Sequence, residues 1–272
     1  MKNQNRLLIG CCGNTKSYAE ISRMGYDYAE LSARQLMALS DEAFRLFLEQ
    51  YQDIGFPCRG FNDFCGPDMP LVGPNLDLGK SVRYMEQLCR RGRMLGIQTI
   101  GIGAPQARIL PGGYPLERAD SDMASFLKNT SEIAAQYGIV VLAEAVHKYL
   151  CNYMTGTKDA LAMVRTLNIP NVHMVLDYYH AKVMGENLHG LSEIMPYVRN
   201  LHVSTDLTGH VRGFLKREDI PEVECLLDEA LANGYRGGVS VEADPAYLTA
   251  EGDLCARLLH DAAVRLNNKY PE

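Results

Sequence analysis

The chain reads as an α/β protein, a single (β/α)8 TIM barrel occupying residues 1–272. Three observations predict it. Short runs rich in Val, Ile and Leu alternate eight times with longer stretches of helical period. The runs lack a clean polar and apolar alternation, as expected of strands covered on both faces. Four residues able to bind a hard cation each stand at the end of one of the last four runs, where a closed parallel barrel gathers side chains on one rim.

The elements follow in order. A first strand at 7–10 precedes a helix at 18–24, which Gly25 closes. A second strand at 28–31 leads to a helix at 41–52 followed by Gly55, and a third at 56–61 to a helix at 78–95 followed by Gly96. The fourth strand, 99–103, leads to a helix at 120–137 and Gly138. The fifth, 139–143, and sixth, 173–176, are followed by helices at 158–167 and 188–195. The seventh, 200–203, precedes a helix at 223–232 near Gly234, and the eighth, 238–242, a closing helix at 253–268. Glycine just past a helix supplies the left-handed stop that other residues resist. The Pro- and Gly-rich loops at 65–75 and 105–115 are expected to wall or cover a site on the carboxyl face. No linker, charge block or internal repeat divides the chain.

Charge and composition narrow the function. There are 27 Lys and Arg against 33 Asp and Glu, a net charge of −6, which offers no cationic surface for a phosphate backbone. Nucleic acid is therefore not an expected partner. The polar start, residues 1–6, lacks a signal-peptide core, and no stretch approaches the apolar length of a membrane span, so a cytoplasmic protein away from membranes is expected. The eight cysteines include no C-x-x-C pair, and Cys89, Cys225 and Cys255 lie in apolar runs as small hydrophobes.

The four rim residues are Glu144, Asp177, His202 and Glu242. Singly, each has an ordinary explanation: an Asp caps the next helix, a strand-end Glu pairs with a Lys, a His is a satisfied polar group. Together, at the same end of successive strands, they make one mixed oxygen and nitrogen donor set. Three carboxylates and one imidazole suit a six-coordinate Mn²⁺ first, with Mg²⁺, Co²⁺ or Zn²⁺ as alternatives, and leave about two positions open. A carbonyl and its neighbouring hydroxyl on a sugar would fill those positions, and the cation would then stabilise the enediolate left when a proton departs from the adjacent carbon. Glu144 and Glu242, from strands five and eight, are the candidate acid and base; the sequence does not say which is which.

Ala143-Glu144, Leu176-Asp177-Tyr178-Tyr179-His180, Leu201-His202-Val203 and Val241-Glu242-Ala243 resemble, in order and spacing, the metal-site motifs of the xylose-isomerase-like TIM-barrel superfamily of sugar isomerases and epimerases. The resemblance spans nearly the whole chain and extends to Gly10 and to Tyr26-Asp27-Tyr28-Ala29-Glu30-Leu31. It implies a divalent-metal-dependent sugar isomerase or epimerase, with Glu144 and Glu242 both ligands and catalytic pair. His180 would be a substrate-binding histidine, Arg212 a cation gripping a substrate hydroxyl, and a homo-oligomer would be expected. Two features depart from the tagatose and psicose epimerases: His147 stands where they carry a second Glu, and the chain has no Trp.

His147 is either an ordinary loop residue or a further acid or base beside the metal. The second reading suits β-elimination, and so a lyase or dehydratase acting on a keto-sugar, inosose or oxidised glycoside, classes the superfamily includes. Asn62, Phe61, Phe64, Tyr149, Tyr153, Tyr178 and Tyr179 could face a sugar or simply pack. Asp206 would support His202 or turn a loop. The superfamily's zinc endonucleases draw histidines from earlier strands, and none of the seven here precedes His147. A non-catalytic sugar-binding barrel or partner subunit is the other alternative.

Overall fold

In the computed structural model, residues 7–186, 191–207 and 211–270 are described. Eight parallel strands close on themselves: β1 (Leu8–Gly13), β2 (Tyr28–Ser32), β3 (Cys58–Asn62), β4 (Thr99–Ile102), β5 (Val140–Glu144), β6 (Val172–Asp177), β7 (Val198–Val203) and, after two short strands, β10 (Gly238–Val241). Strand β1 pairs in parallel with both β2 and β10, which completes the cylinder. The two short strands, β8 (Thr205–Leu207) and β9 (Val211–Gly213), form an antiparallel pair above β7.

Helices α1 (Tyr18–Ile21), α2 (Ala33–Met37), α3 (Asp41–Ile54), α4 (Leu78–Leu95), α5 (Leu116–Gln136), α6 (Thr157–Leu167), α7 (Tyr178–Val183), α8 (Ile220–Ala232) and α9 (Leu248–Lys269) accompany the barrel. Their boundaries have local causes. Helix α4 starts where the Asp77 side chain accepts from the Lys80 amide and stops at Gly96, φ 73°. It buries Ser81, Met85, Leu88, Gly92 and Leu95, a stripe of one helix face. The five glycines expected to end helices all have φ between 66° and 86°.

Some expectations are corrected. The helix at 188–195 is not formed as such: residues 187–190 lie outside the described residues, and 191–197 make two 3₁₀ turns, Leu191–Glu193 and Met195–Tyr197. Pro196, at the start of the second turn, lacks the amide that a continuing helix needs. The helical segment after β6 is instead α7, begun directly by Asp177. Cys225, expected inside, is exposed; the other seven cysteines are buried, and all eight are free thiols. No helix among the described residues is long and apolar enough to cross a membrane.

Candidate metal centre

The register of the last strands delivers the four rim residues to one place. Asp177 ends β6 opposite His202 on β7, His202 lies opposite Ser240 on β10, and the Glu242 amide continues the ladder to the Val203 carbonyl at 3.1 Å. Donor atoms of Glu144, Asp177, His202 and Glu242 all lie within 4.8 Å of one another. From His202 Nδ1 the carboxylate oxygens are 3.1 Å (Glu242), 3.7 Å (Glu144) and 3.9 Å (Asp177) away. Donors about 2.1 Å from an octahedral cation sit about 3.0 Å apart when adjacent and about 4.2 Å when opposite, and the three distances from His202 Nδ1 fall in that range. Glu144, Asp177 and His202 are buried, and Glu242 is the partly exposed member at the cavity mouth.

Asp177 has two roles at once. Its Oδ1 accepts the His180 amide at 3.1 Å as the N-cap of α7, while Oδ2 accepts from Arg212 Nη2 at 2.7 Å. Arg212, on β9, also sets Nη1 2.9 Å from Glu242 Oε2 and donates from Nε to the Glu242 carbonyl at 2.7 Å. Its guanidinium thus balances negative charge that the clustered carboxylates would otherwise concentrate.

The environment separates the two outer carboxylates. Burial holds the Glu144 carboxyl above its ordinary range, with Glu242 and Asp177 adding to the shift against His202. For Glu242 burial acts the same way, but Arg212 and His202 outweigh it and hold the group well below the usual range. Burial pushes His180 down to about 4, leaving a neutral ring near pH 7.

A cavity of about 330 Å³ opens on this cluster. The four further candidate residues from the sequence, Asn62, His147, His180 and Arg212, all line it. Asn62 Nδ2 donates to Glu242 Oε1 at 3.1 Å, and its Oδ1 is buried with no partner among the described residues. His147 and His180 are both buried, their rings 4.9 Å apart and edge to face. Of the aromatic candidates, Tyr179 lines the cavity, its ring 4.9 Å from the Arg212 guanidinium carbon. Phe61 and Phe64 are fully buried in the core, Tyr149 is exposed, and Tyr153 and Tyr178 turn their hydroxyls to Asp120 and Glu222. The 105–115 loop contributes Pro105 to the cavity wall; the 65–75 loop packs behind it, the Leu71 amide donating to the Ala107 carbonyl at 2.9 Å. Asp206 is exposed on β8, where its Oδ1 accepts from the Tyr179 hydroxyl at 3.4 Å.

Three buried polar residues at this end carry no role in the sequence reading. Glu30 faces His202 Nε2 at 3.4 Å, and Cys12 Sγ lies 4.0 Å from the same nitrogen. Arg108, fully buried, donates from Nη1 to the Glu144 carbonyl at 2.8 Å and so fixes the end of β5. The available signal for Glu30 was a charged residue inside an apolar strand, which burial makes costly unless it is partnered.

The family model for the xylose isomerase-like TIM barrel matches residues 18–254. The chain belongs to that family. Its similar curated proteins are named as epimerases and isomerases. The 3-dehydro-D-guloside 4-epimerase of Escherichia coli K12 is 23% identical over 244 residues, covering 85% of this chain and 89% of that protein. Among solved structures, the IOLI protein with a binding zinc atom superimposes with a TM-score of 0.72 at 21% identity, covering 97% of this chain and 99% of that one. The D-psicose 3-epimerase of Clostridium cellulolyticum H10 with D-tagatose gives 0.71 at 17% identity, covering 96% and 99%. At these identities the superpositions establish the shared fold.

Proposed function

We propose that this member of the family is a divalent-metal-dependent sugar isomerase or epimerase that moves a proton next to a carbonyl. The observation that carries the reading is the convergence of three carboxylates and one imidazole at a sugar-sized cavity. Glu144, Asp177, His202 and Glu242 would hold the ion. When bound, the cation supplies polarisation of the carbonyl and stabilisation of enediolate charge. Mn²⁺ suits this three-carboxylate set, and Zn²⁺, present in the related IOLI structure, is the alternative.

The chain's own groups account for the rest. Glu144 and Glu242 each have an oxygen directed to the cluster and a second able to receive or return a proton at the substrate carbon. Asn62 steadies Glu242 and offers its buried Oδ1 to a substrate hydroxyl. Neutral His180 and charged Arg212 bind hydroxyl or carbonyl oxygens along the same wall, and Tyr179 and Leu150 help exclude water. The relatives named for 3-keto-glycosides and ketopentoses, including the L-ribulose 3-epimerase of Methylomonas, support a keto-sugar as substrate.

A second reading, β-elimination from a keto-sugar, inosose or oxidised glycoside, is favoured by the edge-to-face His147 and His180 pair, which places an additional proton carrier beside the cluster. One experiment separates the two. Incubation of the metal-supplemented protein with ketohexoses and 3-keto-glycosides in deuterated water should put deuterium on carbon with recovery of an isomeric sugar. Loss of water or aglycone would establish the lyase, and no exchange with any such substrate would contradict both.

A further inference from the structure

Glu30 sits in a strand whose five residues, Tyr28 to Ser32, are all buried. A carboxylate inside a barrel is costly, and an apolar residue of similar volume would commonly serve packing as well or better. Here the carboxylate is held by polar partners drawn from separate strands. Oε1 accepts from Asn200 Nδ2 at 2.6 Å and from the Ser240 hydroxyl, which in turn meets the Tyr28 hydroxyl at 2.8 Å. Oε2 faces His202 Nε2.

A neutral imidazole has one N–H and one bare nitrogen, and only the bare nitrogen can bind a cation. His202 Nδ1 points at the three carboxylates of the cluster and Nε2 points away from them, at Glu30. We propose that Glu30 is a positioning residue that accepts the Nε2 proton of His202 and thereby makes Nδ1 the metal-binding nitrogen; the proposal rests on the metal-dependent reading of the site. The neighbourhood contains the opposite possibility. Asn200 Nδ2 lies 3.0 Å from Nε2, and an amide donating there would drive the proton onto Nδ1, against the cluster. Glu30 takes one of that amide's two N–H groups in a shorter, charge-assisted bond, and its Oε2, 3.4 Å from Nε2, is the charged acceptor offered to the ring. Cys12 Sγ, 4.0 Å from Nε2, is the weaker acceptor of the two.

The test is Glu30→Gln. Its oxygen can still accept from Asn200 and Ser240, but its amide then faces Nε2 and donates into the ring, selecting the wrong tautomer. The expected result is a Kd for Zn²⁺ or Mn²⁺, by isothermal titration, about 10- to 100-fold weaker than wild type, the range for removing a partner of a ligating histidine. Glu30→Asp, which retains the charge, should recover part of that loss. Imidazole ¹H–¹⁵N spectra of the wild type should show zinc on His202 Nδ1 and the proton on Nε2. Unchanged metal affinity in Glu30→Gln, or a wild-type spectrum with zinc on Nε2, would overturn the assignment. The wild-type spectrum decides alone if the variant does not fold. A wild type that takes up neither ion would remove the metal-dependent reading itself, whereas a metal-binding wild type with an indifferent Glu30→Gln would remove only the role of Glu30.

Discussion

Replacing Asp177 by Asn separates folding from metal binding, because one carboxylate serves both. Its Oδ1 caps α7, and its fully buried Oδ2 takes a 2.7 Å bond from Arg212. If the amide oxygen keeps the cap, the new NH₂ faces the guanidinium, donor against donor, and a charge-assisted bond of about 1.5–3 kcal/mol is lost. If it turns, the Arg212 bond survives in weaker, neutral form and the cap is lost, about 1 kcal/mol. Arg212 keeps Glu242 in either case, so the metal-free protein should lose about 2–3 kcal/mol, below the 3–5 kcal/mol of a fully orphaned buried charge. At about 2–4 °C per kcal/mol for a chain of this size, the Tm falls by about 4–12 °C. Metal then sharpens the contrast. At 100 times the wild-type Kd a bound ion stabilises the wild type by about 2.7 kcal/mol. A variant binding 100-fold more weakly gains only about 0.4 kcal/mol at the same concentration. Calorimetric scans with and without Mn²⁺ measure both quantities. An unchanged metal-free Tm, or a metal-induced shift equal to that of the wild type, would refute the dual role.

Other substitutions test other parts of the account. Glu144→Gln and Glu242→Gln should each reduce deuterium exchange into substrate by at least about 100-fold with the fold retained by circular dichroism; activity near wild type in either removes that residue from the chemistry. Gly103→Ala places a methyl carbon 2.5 Å from Glu144 Oε2, so the carboxylate must move. Metal affinity and kcat should both fall while the Tm changes by a few degrees, and unaltered metal affinity would mean Glu144 is not held where described. His147→Ala should cost a large factor in kcat if the enzyme eliminates and a small one if it epimerises, read from product formation by NMR. On the surface, burial would raise the Glu222 pKa, but Lys182 and Tyr178 outweigh it and lower the value. Its stabilisation is therefore present above the ordinary carboxylate pKa and lost as pH falls through the depressed one. Because the pair is about half exposed, Glu222→Gln should remove at most about 1 kcal/mol at neutral pH and nothing in strong acid, measured by urea denaturation at the two pH values.

The barrel strands and the ligand-bearing rim were legible because both are local patterns. An apolar run followed at once by Glu144, Asp177 or Glu242 places a carboxylate at a strand end whatever the neighbouring strands do. Helix α4 carries its own start and stop, Asp77 and Gly96, and was read to the residue. Helix α7 was hidden because Asp177 both ends β6 and caps the next turn, leaving no linker to read. The short β8 and β9 hairpin, which gives Arg212 its place, has too few residues to show a period. The support around His202 was hidden for a different reason. Glu30 meets Asn200 and Ser240 across 170 and 210 residues of sequence, and only the closed register of β2, β7 and β10 brings them together.

The most direct measurement is the anomalous scattering of Mn²⁺ soaked into crystals of the protein. The account predicts one strong peak about 2.0–2.3 Å from donor atoms of Glu144, Asp177 and Glu242 and from Nδ1 of His202. A peak elsewhere, or none at a concentration that raises the melting temperature, would contradict it.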